Sequence, residues 1–487
     1  MSSPNSAQAR IHTRVHTRVR TRVRVVALAA TLPLVVSATL VSAPAQAAEP
    51  PPPTYRVSIL PFQANIVDMS GAGHIAGINY PDGQPFVWTP GGGVVILPTP
   101  AGTTNPGVVG VNSSGWVAGS LVVSGATLGV VWQPTATGYT MVTLPRPTGL
   151  GPALPVAIDD AGRIVGSAGA PGQFWSYPFL WTAEGGTQNL ADLGYPTDLP
   201  TSMSPTSGWV ALPTRAYRLG DPSSVIPLPQ APPNFGYAYT HAIADDGDRF
   251  VELQRPSSMY AARLFRLDAQ TSTWVDLWGA DVYSWFHGVA DVNALGDMVG
   301  FIRYSALVSW APGDPVVGLQ TRLAAGYTGV PTDGYAPVVL SGAAGISDTR
   351  EVLATASMGN SGRMVRLTPT GPCTAATCLR VTALTVGGSQ SSTCTTGATY
   401  TASGTATVRD QAGRAVAKAT VRVILVGGNS TVVTTVTTDR KGVAKFSGKL
   451  GTCEGTVTAF IDDVTAPGAE LDRTVGILGR SALPAVR

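Results

Sequence analysis

Short apolar runs alternate with short polar turns along most of the chain, and past the first fifty residues no helical period is sustained. Ala153 to Ile158, then Asp159-Asp160-Ala161-Gly162, then Arg163-Ile164-Val165-Gly166 is typical. Such spacing predicts strands joined by tight turns.

The pattern repeats. An apolar anchor stands four residues before a turn glycine, and a short strand follows. The anchors are Met69, Val111, Ile158, Ile243, Val292 and Ile346, with Ser204 as the weak member. The turn glycines are Gly73, Gly115, Gly162, Gly208, Gly247 and Gly296, and Arg350 replaces the glycine in the last copy. A second glycine four residues on (Gly77, Gly119, Gly166, Gly300) gives way to Leu212 and Val251 in copies four and five. A third strand, such as Phe86-Val87-Trp88 or Phe179-Leu180-Trp181, and a fourth ending near Leu-Pro complete the unit. A four-stranded unit of this size cannot bury its own apolar face, so the copies must stack.

Seven copies fit a closed ring, one blade each. Copy seven lacks a fourth strand, because Leu367 leads directly into Thr368-Pro369, and the segment 55–61 at the front supplies the missing pattern. The expected fold is therefore all-β: a seven-bladed β-propeller over 48–371, closed by strand 55–61, followed by a small Ig-like β-sandwich. An open β-solenoid is the alternative, and it expects capping ends rather than complementary ones. The sandwich covers 379–480, where Thr- and Val-rich alternation predicts strands that include 415–426, 431–438 and 443–450. A linker at 372–378 precedes it and a tail at 481–487 follows.

The segments Val111-Asn112-Ser113-Ser114-Gly115-Trp116-Val117-Ala118-Gly119 and Pro178-Phe179-Leu180-Trp181 resemble the bacterial HAF-type extracellular repeat, over about residues 64–370. Val408 to Val421 followed by Thr437 to Ala444 resembles bacterial Ig-like domains of the invasin type. The first resemblance implies a secreted propeller-like protein and transfers no catalytic residue. The second implies a spacer or adhesive unit.

The N-terminus is expected to be a secretion signal over 1–47. Six arginines precede an apolar run from Val25 to Val41, and Ala45-Gln46-Ala47 forms an A-x-A site. Its removal takes six arginines and no acid, so the formal charge falls from +3 to −3. That argues against a nucleic-acid partner, and no membrane span is expected after cleavage. The balance is acidic over 48–378 and basic over 379–487, so the C-terminal module could touch an anionic cell surface. The protein is expected to be secreted, extracellular or associated with the cell surface.

All four cysteines lie beyond residue 370, and an even count in a secreted chain predicts disulfides. Cys373–Cys378 and Cys394–Cys453 are the expected pairs, although four cysteines allow three pairings.

Catalytic signatures are missing: the chain has no Gly-x-Ser-x-Gly elbow, His-Glu-x-x-His pair or Walker loop. His241 lies two residues before its anchor, at the place of Val67, Val109, Val156 and Ala290, which in a propeller lines the channel. His287 enters the next copy similarly. With Asp245 they are the expected ligand-binding residues at the channel mouth. Asp245-Asp246-Gly247-Asp248 lacks the spacing of a calcium loop, so no metal and no cofactor is expected. Trp116, Trp175, Trp209, Trp274, Trp278 and Trp285 offer a sugar-stacking surface, but most are expected to pack between blades. The function expected is a non-catalytic binding or adhesion protein with an extracellular polysaccharide or protein ligand. A glycan-acting hydrolase or lyase and a structural envelope component are the alternatives.

Overall fold

The structure, a computed structural model, describes residues 54–60, 64–80, 82–169, 177–256, 258–277, 287–302, 305–309, 316–328, 338–358, 361–390, 400–427, 430–451, 457–482 and 485–486. The expected signal peptide, Cys394, Cys453, Trp175, Trp278 and Trp285 lie outside the described residues.

The fold is all-β and β-propeller-like. Over 54–370 the described residues form seven four-stranded antiparallel sheets, six of them meanders in chain order and the seventh completed by a strand from the front of the region. Their first strands are Ala64–Met69, Thr103–Val111, Ala153–Ile158, Ser202–Met203, Tyr237–Ile243, His287–Val292 and Val339–Ile346. Each first strand packs against the first strand of the next sheet, and the seventh returns to the first, so the row of sheets closes on itself. The outer strand of the seventh sheet is Thr54–Ile59, which pairs antiparallel with Ser361–Thr370 from Thr54 opposite Thr370 to Ile59 opposite Val365. The two ends of this region are thereby hydrogen-bonded to each other.

The local chemistry explains the repeat. The turn glycines adopt left-handed φ, for example +78° at Gly115 and +73° at Gly162, where a side chain is strained. Asn112 braces its turn through Oδ1, which accepts the backbone N–H of Ser114 (3.1 Å) and Trp116 (2.8 Å). Its Nδ2 donates to the Asp159 carbonyl of the next sheet at 3.0 Å. The second glycine answers a β-bulge: a Cβ at Gly77, Gly119, Gly166 or Gly300 would run into a carbonyl of the first strand.

In several copies the residue after the turn glycine reaches toward the following sheet, although Asp248 bonds within its own. Trp116 lies on the turn glycine Gly162 and Trp209 on Gly247, which places these two rings between sheets. His74 lies over Gly115 and Arg163 over Gly208 in the same manner. Trp132 packs between the first and second sheets, fully buried, with Nε1 donating to the Pro98 carbonyl of the preceding sheet at 2.8 Å.

Residues 377–486 form two facing sheets. One has the order Val443–Leu450, Tyr400–Asp410, Thr377–Gln390, Ala469–Leu471, and the other Ser430–Thr437, Thr420–Gly427, Val457–Thr465, Gly479–Ala482. Three boundaries differ from those read in the sequence. The expected strand at 415–426 begins only at Thr420, because Lys418 turns to φ +58°. The expected linker already contributes Thr377 and Cys378 to a strand, which pairs in parallel with Ala469–Leu471. The expected tail is also in the sheet, since Gly479–Ala482 pairs with Val457–Phe460 and Ala485–Val486 with Ser389–Gln390. Cys373 and Cys378 are disulfide-bonded.

One continuous core joins the seventh sheet to this module, running from Tyr55, Val57 and Val365 through Leu323 and Tyr327 to Leu379, Val423 and Phe460. Among the described residues no helix is long and apolar enough to cross a membrane.

Candidate functional site

The ends of the seven first strands enclose a cavity of about 230 Å³ on the axis of the ring. Six of those strands carry a β-bulge at the same place, at Val67, Val109, Val156, His241, Ala290 and Ala344. The bulge breaks the alternation of the strand, and the first five of these residues line the cavity. The wall is otherwise small and aliphatic, with Asp68, Asp160, His241, Asp291 and Asn293 as its principal polar groups.

Asp68 and Asp291 occupy equivalent positions just after the bulge. Asp68 accepts the Met69 N–H on Oδ1 (2.9 Å) and the Val111 N–H of the next sheet on Oδ2 (2.8 Å). Asp291 repeats this with Val292 (2.7 Å) and Ile346 (2.8 Å). Each carboxyl is thus a clasp between neighbouring sheets. Gly110 leaves room for it, since a Cβ there would approach Asp68 Oδ2 to 3.2 Å. Burial raises the Asp68 carboxyl to about 6, although the two backbone hydrogen bonds pull the other way. Asp291 is raised well above the ordinary carboxylate range, first by burial and then by the charge of Asp68. Both are only partly buried and line the cavity.

A second ring of acids lies at the turns. Asp160 accepts the Ser113 N–H at 2.7 Å, and Asp348 accepts the Ala294 N–H at 2.9 Å. Asp245 accepts the N–H groups of Thr206 (2.9 Å) and Ser207 (2.7 Å) and the Thr206 hydroxyl (2.5 Å). In every case the donor belongs to the preceding sheet. Partial burial raises Asp245, but the donors from Thr206 and Ser207 outweigh it and leave the carboxyl below its usual range. Partial burial raises Asp348, and the charges of Asp160 and Asp245 push it further in the same direction. Gly71 is glycine because Asp348 occupies the space a Cβ would need.

The sequence-derived site residues separate. His241 lines the cavity, where Nε2 faces Glu252 Oε2 at 3.3 Å and the ring meets Tyr239 edge-on at 5.0 Å between centroids. Asp245 serves the neighbouring turn. His287 opens the first strand of the sixth sheet, and its side chain lies outside the described residues. The acids of the 245–248 run also diverge: Asp246 caps the Asp248 N–H at 2.9 Å, while Asp248 accepts the Ala269 N–H at 2.8 Å and faces Arg266. Among the described residues no group of three His, Cys, Asp or Glu side chains is arranged to hold a metal ion. Glu252 escaped the sequence reading. It sits mid-strand as a polar residue within an apolar run, which is the one signal that could have marked it.

No family model and no curated protein matches the chain. Solved structures similar to it include a virginiamycin B lyase from Staphylococcus aureus, at 12% identity and a TM-score of 0.38 over 65% of this chain and 99% of that one. A TolB from Acinetobacter baumannii is similar at 12% identity and a TM-score of 0.25, over 65% of this chain and 64% of that one. A prolyl endopeptidase is similar at 12% identity and a TM-score of 0.37, over 74% of this chain and 55% of that one. Likenesses this distant say nothing about chemistry.

Proposed function

We propose that the protein is a secreted, non-catalytic binding protein: a seven-bladed β-propeller of the HAF-type repeat that presents an extracellular ligand surface, carrying an invasin-type Ig-like module fused to its last blade. The observation that carries the reading is the use to which the ring acids are put. Asp68 and Asp291 have both carboxylate oxygens on backbone N–H groups, and Asp160, Asp245 and Asp348 each hold a turn of the preceding sheet. A glycan hydrolase needs one carboxyl free to give a proton and a second free to attack or to activate water. These acids are bound to the scaffold instead. Among the described residues the cavity wall carries no Phe, Tyr or Trp to form the platform on which a sugar ring stacks. The secreted address rests on the 1–47 signal pattern, and the Cys373–Cys378 disulfide accords with an oxidising compartment.

The enzyme reading keeps one point in its favour, the raised carboxyls of Asp68 and Asp291, since a general acid needs to hold its proton near neutral pH. Screening residues 48–487 on an array of glycans and cell-wall polysaccharides, with every hit checked by mass, separates the two. Binding without a mass change is the expected result. A cleaved or desaturated product overturns it.

A further inference from the structure

Outside the ring, a groove of about 570 Å³ runs between the closing strand Thr54–Ile59 and the C-terminal module. Arg56, Trp88 and Arg366 stand on its propeller side, and Arg422, Asp462 and Arg473 on its module side. The two walls are tied together, because Arg363 Nη2 donates to the Ser430 carbonyl at 3.2 Å and a single core continues beneath them.

Three of the four arginines are already oriented. Arg366 pairs with Glu351, and its guanidinium stacks 5.1 Å from the centre of the Trp88 ring. Arg422 Nη1 lies 2.9 Å from Asp462 Oδ2, and Arg473 Nη2 lies 2.9 Å from Asp463 Oδ1. Among the described residues Arg56 has no carboxylate partner. With Glu351 behind Arg366, the four arginines meet three carboxylates, so the groove keeps one positive charge in excess, at Arg56. It also carries the hydroxyls of Thr420, Thr431 and Thr435. Fixed guanidinium–carboxylate pairs, hydroxyls and one indole together suit an extended chain of sugar rings, which offers hydroxyls to the polar groups and C–H faces to the ring. The arginine excess selects chains that carry oxyanions.

We infer that this groove binds an extended oxyanion-bearing saccharide chain, with Arg56 as the group that meets the carboxylate or phosphate. The inference rests on the binding reading above and moves the ligand from the channel to the seam between the two parts.

The test is calorimetric titration of residues 48–487, which include the whole of the compact unit Pro52–Arg487, with oligogalacturonate, a phosphomannan oligosaccharide and cellohexaose. The expected result is binding of an anionic chain that weakens as salt rises, with cellohexaose at least tenfold weaker. Which anionic chain binds tells carboxylate from phosphate recognition. Arg56→Gln and Arg422→Gln, one on each wall, should each weaken binding about tenfold with melting temperatures unchanged. Arg215→Gln, a half-exposed residue paired with Asp198 in the fourth sheet, should leave affinity as it was. Equal affinity for cellohexaose, or no binding of either anionic chain, overturns the inference. Binding that survives both groove variants but is lost in His241→Ala also overturns it, while leaving a saccharide-binding protein whose site is the channel.

Discussion

Arg350 stands where the other six repeats have glycine, and its guanidinium reaches back to Asp297 of the preceding sheet, with Nε 2.9 Å from Oδ2 and Nη2 3.2 Å from Oδ1. Arg350 holds φ at +62°, a strained value for a side-chain-bearing residue, and Asp297 is fully buried. The departure from the repeat is thus compensated across the sheet boundary. Arg350→Ala keeps the backbone strain and removes the charge partner of a buried carboxylate, and should destabilise by about 3 kcal/mol in chemical denaturation. Arg350→Gly relieves the strain and should cost about 1 kcal/mol less than alanine. If the alanine variant proves the milder of the two, the left-handed backbone assigned to this turn is wrong.

The left-handed glycines, in the repeat turns and in other hairpins alike, differ in what surrounds them. Gly162 has φ +73°, and a Cβ there would come within 2.9 Å of the Trp116 ring, whereas Gly91 has φ +79° with nothing nearby. Gly91→Ala should cost about 1 kcal/mol from the backbone alone. Gly162→Ala should cost roughly 2–3 kcal/mol and shift the tryptophan emission, since the indole must move. Equal losses in the two variants would contradict the packing of Trp116 between sheets.

What the sequence displayed of all this was local. The Asn112-to-Trp116 spacing, the left-handed glycines and the four-strand rhythm all act within one repeat, so they leave a pattern along the chain. The inward aim of His241 was legible for the same reason, because aligned repeats place it beside Val67 and Ala290. The clasps were not legible: Asp68 and Val111 are 43 residues apart, and Asp245 and Thr206 are 39 apart. An aspartate in a turn looks the same in sequence whether it caps its own turn or its neighbour's. The groove was hidden more deeply still, since Arg56 and Arg422 come from opposite ends of the chain.

Asp68 gives a signed pH effect. Its carboxyl titrates near 6 in the folded protein against an ordinary value of 3.8, so between those values the folded state holds a proton that the unfolded state has lost. Stability from this group is therefore full below about pH 3.8 and is lost as pH rises through 6. The loss should be about 2 kcal/mol, allowing for the partial exposure of Asp68. Asp291 acts in the same direction. Asp68→Asn should flatten the slope of stability between pH 4 and 6.5. A variant with the wild-type slope would show that Asp68 is not the titrating group.

The closing strand buries Val57 and Ile59 against Val365 and Leu367 of the seventh sheet. Val57→Asp places a charge in that core and should destabilise by more than 3 kcal/mol, or prevent recovery of soluble protein. Arg56→Gln, on the opposite face of the same strand, should melt like the wild type. Similar melting of the two variants would contradict the pairing of this strand with Ser361–Thr370.

The central claim is that the acids around the ring hold the sheets together and do not work on a substrate. Its most direct test is one paired measurement on Asp245→Ala: the melting temperature, and the mass of every glycan bound by the wild type. The account predicts a lowered melting temperature, because Thr206 and Ser207 lose their acceptor, and glycans left intact by the wild type. An unchanged melting temperature, together with turnover by the wild type that Asp245→Ala abolishes, would contradict it.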